Sequence, residues 1–152
     1  MNGLIKHLPD IKTVHFETVV LDQPFEMLAA RFSCYTGTVL LLSGSSFDCS
    51  RYNILGASPW LELKGKGDDI RVNCLGTEHR VKHDPFSLVE TLLKQFKFDE
   101  PSLAHLPVFS GFFGYLSYDL KDRIEILPRT CTDSSLPDIC LFAPSIILIQ
   151  DK

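Results

Sequence analysis

From Thr13 to Leu21 the sequence TVHFETVVL sets Val14, Phe16, Thr18 and Val20 at every second position. That alternation predicts a half-buried strand. Asp22 then reads as an N-cap and Pro24 falls in the first helical turn. Phe25, Leu28, Ala29 and Phe32 follow at helical spacing, predicting an amphipathic helix to about Cys34. A buried strand is predicted over Thr38 to Leu42. After the polar turn Ser43 to Ser50, four short segments (Tyr52 to Leu55, Trp60 to Leu63, Ile70 to Cys74 and Glu78 to Val81) are separated by turn formers, among them Gly65-Lys66-Gly67-Asp68 and Leu75-Gly76. The pattern is that of an antiparallel meander.

Asp84 and Pro85 open a second helix, in which Phe86, Val89, Leu93 and Phe96 are placed on one face; a loop follows from Lys97 to His105. Val108 to Leu116 is apolar and carries Gly111 and Gly114. A short helix is expected from Tyr118 to Ile126, stopped by Pro128, with a loop from Asp133 to Pro137. Asp138 to Phe142 and Ser145 to Ile149 read as strands, the second almost uninterruptedly apolar. Runs of strands punctuated by two or three helices indicate an α+β fold, mostly antiparallel sheets packed as a sandwich, rather than a βαβ repeat. No internal repeat or low-complexity segment interrupts the pattern.

Its 152 residues suit one domain, residues 1–152, since domains commonly run to roughly 100 to 150 residues. Hydrophobic residues make up 45% and charged residues 22%, so the chain has material for a core. A formal charge of −4 with scattered Lys and Arg argues against nucleic acid as a partner. The opening MNGLIKHLPDIK lacks an apolar leader core, and the longest apolar runs are too short to span a bilayer, so no membrane association and a cytosolic location are expected. Five cysteines, Cys34, Cys49, Cys74, Cys131 and Cys140, form no C-x-x-C pair and read as buried free thiols.

No histidine or serine sits in a nucleophile elbow, a zinc helix or a phosphate loop, so the residues themselves offer no catalytic set. His15 alternates with the apolar face of its segment and is expected to face solvent. Gly111-x-x-Gly114 lacks the Lys and hydroxyl of a phosphate loop and reads as close backbone packing. The polar turn offers more. Leu40-Leu41-Leu42 delivers the chain to Ser43-Gly44-Ser45-Ser46, and Ser50-Arg51-Tyr52 begins the next strand, so hydroxyls, a guanidinium and an aromatic ring converge. Such a corner could hold a small zwitterion, Arg51 facing its carboxylate and Tyr52 its apolar part. On spacing alone, a hairpin-like turn with a structural arginine is the favoured reading.

The order Leu42-Ser43-Gly44, Ser50-Arg51-Tyr52, Gly56-Ala57 with Pro59, Asp84-Pro85, Leu106-Pro107, then Gly111 and Gly114 through Asp119-Leu120 to Leu127-Pro128, and Leu136-Pro137-Asp138 resembles the N-terminal region of component I of anthranilate and para-aminobenzoate synthases, the chorismate-utilising enzymes. The resemblance covers nearly the whole chain. It implies the N-terminal part of the chorismate-binding synthase fold, a two-part enzyme that adds ammonia to chorismate, and Mg2+ bound in a C-terminal catalytic domain outside this chain, which carries no cofactor of its own. It implies as partners that C-terminal domain and a glutamine amidotransferase, component II. It also implies a tryptophan pocket at Ser43, Cys49, Ser50, Arg51 and Tyr52. Leu42 stands where anthranilate synthases carry an acidic residue, and the turn from Ser43 to Arg51 is compact. Both features favour the para-aminobenzoate (aminodeoxychorismate) branch over the anthranilate branch. A stand-alone amino-acid-binding or interaction module is the reading from a different class. Finally, Ser145 to Ile149 is expected either to pair with another chain, a second copy or the C-terminal half, or to serve as an ordinary strand of its own sheet.

Overall fold

Two hairpins set the local frame, and each follows from the backbone its turn residues tolerate. The computed structural model describes residues 8, 9, 11, 13–44, 50–98, 100–125 and 135–152. Strand β2 (Tyr52–Lys66) turns into β3 (Asp69–Cys74) through Gly67-Asp68, and β3 into β4 (Thr77–Lys82) through Leu75-Gly76. Gly67 has φ 58°, the left-handed value wanted at the first position of a two-residue hairpin loop. Leu75 and Gly76 are both left-handed, at φ 49° and 84°, as the mirror-image type I′ turn demands. Leucine adopts that conformation at a cost of roughly 1–2 kcal/mol.

The other strands complete one six-stranded antiparallel sheet, in the order β4-β3-β2-β6-β5 with β1 also on β2. β1 is Val39–Leu41, β5 is Phe113–Leu116 and β6 is Ile139–Asp151. With two α-helices, α1 (Phe25–Ala30) and α2 (Pro85–Gln95), and two 3-10 turns at Pro101–Leu103 and Tyr118–Arg123, this is the expected α+β class, although the strands among the described residues form one sheet packed by helices rather than sheets packed as a sandwich. Among the described residues no helix is long and apolar enough to cross a membrane.

β2 merges two segments that the sequence separates, and β6 merges two more. The reason is the same on both. Pro59 and Pro144 stand directly opposite each other, and the register shifts between Pro59 and Leu61. Proline cannot donate to a ladder, so the gap in donors coincides with a bulge, where such residues are tolerated. Ser58 is left-handed at φ 52° beside it, and Trp60 turns its carbonyl to the Leu75 N–H at 2.9 Å. Turn formers read as breaks are thus absorbed inside long strands.

The main core joins Leu61 and Leu63 of β2, Ile70, Val72 and Cys74 of β3, and Ile139, Leu141 and Ala143 of β6 to Leu88 and Leu92 of α2. Each fully buried aliphatic side chain contributes roughly 2 kcal/mol. Trp60 adds an edge-to-face contact with Phe96, centroids 4.8 Å apart. The buried stripe of α2 is Pro85, Leu88 and Leu92, one residue away from the face read from the sequence, and Leu93 is 49% exposed. A smaller cluster holds Phe25 and Ala29 of α1 against Leu55, with Phe32 and Leu148 packed beside it.

Other expectations are corrected. Thr13 to Leu21 forms no strand, and Phe16 is 48% and Val20 94% exposed, because no neighbouring strand takes up its hydrogen bonds among the described residues. Helix α1 stops at Ala30 rather than Cys34, and its N-cap is Pro24, not Asp22, with no side-chain cap bond. β1 lies at the sheet edge, so Leu40, Leu41 and the following Leu42 are exposed rather than buried. The strand in the Val108 to Leu116 segment is confined to Phe113–Leu116. The helix expected after Tyr118 is a 3-10 turn capped by the Ser117 hydroxyl, and Pro128 lies outside the described residues. Cys74 is buried and Cys140 half-buried, their thiol pKa values pushed up by burial, whereas Cys34 is exposed; Cys49 and Cys131 lie outside the described residues. The apolar strand Ser145 to Ile149 is held by β2 along one side. β5 covers the other side of β6 only at residues 139–142, so residues 144–151 have no second strand neighbour among the described residues.

Asp84 caps α2 as expected, its carboxylate accepting the Ser87 N–H at 2.8 Å. Arg123 ties that cap to the first hairpin, bonding Asp84 at 3.3 Å and Asp68 at 2.7 Å. The Ser87 N–H first, with Arg123 adding to it, holds the Asp84 carboxyl below its ordinary value of 3.8. A carboxyl so depressed contributes stability above its unfolded pKa and loses it as pH falls through the folded value. Unfolding midpoints in denaturant should therefore fall as pH drops below about 4. Asp84→Asn, which keeps a capping side chain, should flatten that part of the profile.

Gly114 has φ 139°, and a Cβ there would strike the Cys140 carbonyl oxygen on β6, so the glycine-bearing segment is indeed a close backbone approach. Gly114→Ala is expected to destabilise the chain by on the order of 3 kcal/mol in chemical denaturation. Leu75→Asn, which suits the type I′ turn, should stabilise it by about 1 kcal/mol.

Candidate functional site

The corner singled out in the sequence forms where β1 ends beside the start of β2. β1 pairs with β2 through Leu41↔Ile54, and the chain leaves it as Leu42-Ser43-Gly44 alongside Asn53. On the other flank β6 pairs Tyr52↔Asp151 and Asn53↔Gln150. Three strands therefore present their ends together.

Asn53 is the centre. It is buried at 3% exposure, and its side-chain carbonyl accepts the Ser43 N–H at 3.0 Å and the Ser43 hydroxyl at 3.3 Å. Its amide donates to the Gln150 side-chain carbonyl at 2.8 Å. The Lys152 ammonium donates to the carbonyls of Ser43 and Gly44 at 3.0 and 3.3 Å. A buried amide satisfied on both ends pins the Ser43 backbone to the sheet.

Arg51 is already engaged. Its guanidinium forms a two-pronged pair with Asp151, Nε to Oδ1 at 2.8 Å and an Nη to Oδ2 at 2.6 Å, and it lies 4.8 Å from the centre of the Tyr52 ring. The Arg51 bond holds the Asp151 carboxyl below its ordinary range and pushes the guanidinium's own pKa up. A ligand carboxylate at Arg51 has to displace Asp151 or share it.

Arg51 and Tyr52 open onto a long groove of about 1460 Å³, whose walls include Phe16, Phe25, Trp60, Phe96 and Phe112 and the Ala143 to Asp151 stretch of β6. His105 meets Phe16 edge-to-face at 6.0 Å on the same wall. Ser43 and Ser50 are not on it. The structure thus brings Ser43 and Arg51 to one corner but points them at different partners, Asn53 and Asp151, and Cys49 lies outside the described residues. Sequence reading missed Asn53, Gln150, Asp151 and Lys152. A buried asparagine inside an apolar strand was the available signal, whereas the β6 residues join the corner only through register. Among the described residues no group of three or more His, Cys, Asp or Glu side chains is gathered for a metal ion.

The chain is 30% identical over 142 residues to anthranilate synthase component 1 of Cereibacter sphaeroides, a match covering 88% of this chain and 28% of that protein. Its relatives are anthranilate synthase chains. A second, anthranilate synthase alpha subunit 2, chloroplastic, of Arabidopsis thaliana, is 26% identical over 116 residues, covering 70% of this chain and 18% of that protein. The crystal structure of anthranilate synthase component I from Streptococcus pneumoniae TIGR4 superposes with a TM-score of 0.53 at 19% identity, over 91% of this chain and 29% of that one, which shows the shared fold. No family model matches the sequence. The chain therefore spans less than a third of the anthranilate synthases it matches. The likeness supports the chorismate-utilising family read from the sequence, and leaves the para-aminobenzoate branch without support of its own.

The corner predicts a clear division of roles. Asn53→Ala leaves the half-buried Ser43 N–H and the Gln150 side chain without their partner and should destabilise the chain by about 1–3 kcal/mol. Arg51→Ala, which removes only an exposed ion pair, should leave the denaturation midpoint nearly unchanged. Urea unfolding of both variants tests the contrast.

Proposed function

We propose that residues 1–152 are the N-terminal domain of component I of a synthase that aminates chorismate, supplying fold, partner contacts and a tryptophan pocket while the chemistry, with its Mg2+, proceeds outside this chain. The observation that carries this reading is the match across 88% of the chain to only 28% of an anthranilate synthase component 1. In this reading a glutamine amidotransferase supplies the ammonia, and the corner at Ser43, Cys49, Ser50, Arg51 and Tyr52 receives tryptophan.

The product is open to two readings with different support. The relatives' names favour anthranilate. Leu42, standing where the resembled anthranilate synthases carry an acidic residue, favours aminodeoxychorismate on the route to para-aminobenzoate and folate. Arg51 supports a carboxylate-bearing ligand in either case, because it already holds a carboxylate in two-pronged fashion.

A chimaera tests the proposal. Replacing the matching 142 residues of the Cereibacter sphaeroides protein by this chain should give an enzyme that forms anthranilate from chorismate, ammonium and Mg2+. The chain alone should form neither product. Tryptophan that inhibits the chimaera, with inhibition lost in Arg51→Ala, marks an anthranilate-type regulatory pocket; tryptophan that binds without inhibiting marks the other branch. A folded chimaera without product, or product from the chain alone above a heat-treated control, overturns the assignment.

A further inference from the structure

Strand register concentrates positive charge on one face of the sheet. β2 and β3 place Lys64 directly opposite Arg71, and β3 and β4 place Arg71 directly opposite Arg80. Three cations therefore stand in one row across three strands. Side chains directly opposite on an antiparallel pair have Cβ atoms about 5 Å apart, and like charges there destabilise the sheet. The adjoining rows are Lys66, Asp69 and Lys82 on one side and Glu62, Asn73 and Glu78 on the other. These three rows carry five cations against three carboxylates, in a chain whose formal charge is −4.

Local pairing relieves the ends of the row and leaves its centre. Lys64 meets Glu62 at 3.4 Å and the Phe142 ring at 4.8 Å, and Arg80 bonds Asp69, Nε to Oδ1, at 2.7 Å. Arg71 is exposed, makes no hydrogen bond or ion pair among the described residues, and acts on Asp69 only through space. Lys64, Arg71 and Arg80, together with Lys66 and the Asp69 carboxylate that Arg80 already engages, line a recess of about 380 Å³ that Ser135 to Pro137 also border. That volume falls in the range of small-molecule sites.

We propose that this recess binds a small polyvalent oxyanion, a phosphate- or carboxylate-bearing molecule, with Arg71 as its anchor and Lys64 and Arg80 at its flanks. The guanidinium offers parallel N–H donors that match two oxygens of either group, and the anion gives Arg71 a directly bonded counter-charge where it otherwise meets the Asp69 carboxylate only through space. The wall at Ser135 to Pro137 favours a compact molecule over the flat surface of an acidic protein. The recess shares no residue with the groove beside Arg51, so it stands independently of the proposed activity.

Pyrophosphate and citrate, each titrated into the 152-residue chain at constant ionic strength made up with sodium chloride, test the site and its preferred chemistry. Both are expected to raise the thermal midpoint saturably, the tighter naming the acid group preferred. Arg71→Thr should weaken calorimetric binding at least tenfold, while Arg31→Ala leaves it unchanged. At low salt without a polyvalent anion, Arg71→Thr should unfold no earlier than the parent chain, since the row loses a like-charge contact while threonine keeps the strand preference. No saturable binding, equal binding by Arg71→Thr, a lower anion-free midpoint for that variant, or tighter binding of an oligoglutamate peptide than of either small anion would each overturn the proposal.

Discussion

Twelve residue pairs join β2 to β6, from Tyr52↔Asp151 to Gly65↔Ile139, and the other strands are attached to one or the other of these two directly or, for β4, through β3. β3 brings β4 with it, β1 lies along the far side of β2, and β5 along β6. The main core is what one face of this ladder shares with α2. The partners are remote in sequence: Arg51 and Asp151 lie 100 positions apart. Closing so long a loop adds little entropy beyond that of a shorter one, because the dependence is logarithmic. It slows the search for register, however, so most of the sheet waits on a non-local event.

That dependence explains what could be read in advance. The β2–β3–β4 meander, the Asp84 cap with Pro85, and the strand character of residues 139–142 and 145–149 were legible because each rests on neighbours in sequence. Strand alternation at Ile70, Val72 and Cys74 is likewise local. What failed was set by partners. Val14, Phe16 and Val20 alternate correctly for a strand, yet an alternating segment becomes one only where another strand offers its hydrogen bonds. Pro59 and Pro144 looked like terminators, and only their meeting across the ladder lets both strands run on. In α2 the miss was one residue of rotation, which side-chain chemistry alone does not specify when both candidate faces are apolar.

The candidate corner shows the same division. Ser43, Arg51 and Tyr52 were found from composition around a turn, and the structure gathers them at one end of the sheet. Their partners were not legible, since Gln150, Asp151 and Lys152 reach the corner only once β6 is in register. The consequence is chemical. Arg51 is not a free anchor awaiting a ligand but one half of an exposed, well-formed pair, and Ser43 is spoken for by a buried amide. A ligand carboxylate at Arg51 would have to compete with that of Asp151.

The facing prolines have a mechanical meaning as well. Where Pro59 and Pro144 oppose each other the ladder lacks donors on both strands, so the sheet is continuous in outline but seamed across its middle. On one side of the seam lie β3, β4, β5 and α2; on the other, β1, α1 and the Asn53 corner. Residues from both sides of it line the groove, Trp60 and Ala143 from one and Arg51 and Leu148 from the other. A molecule lying along the groove would brace both sides of the joint, and its fit would report the angle at which the two halves meet.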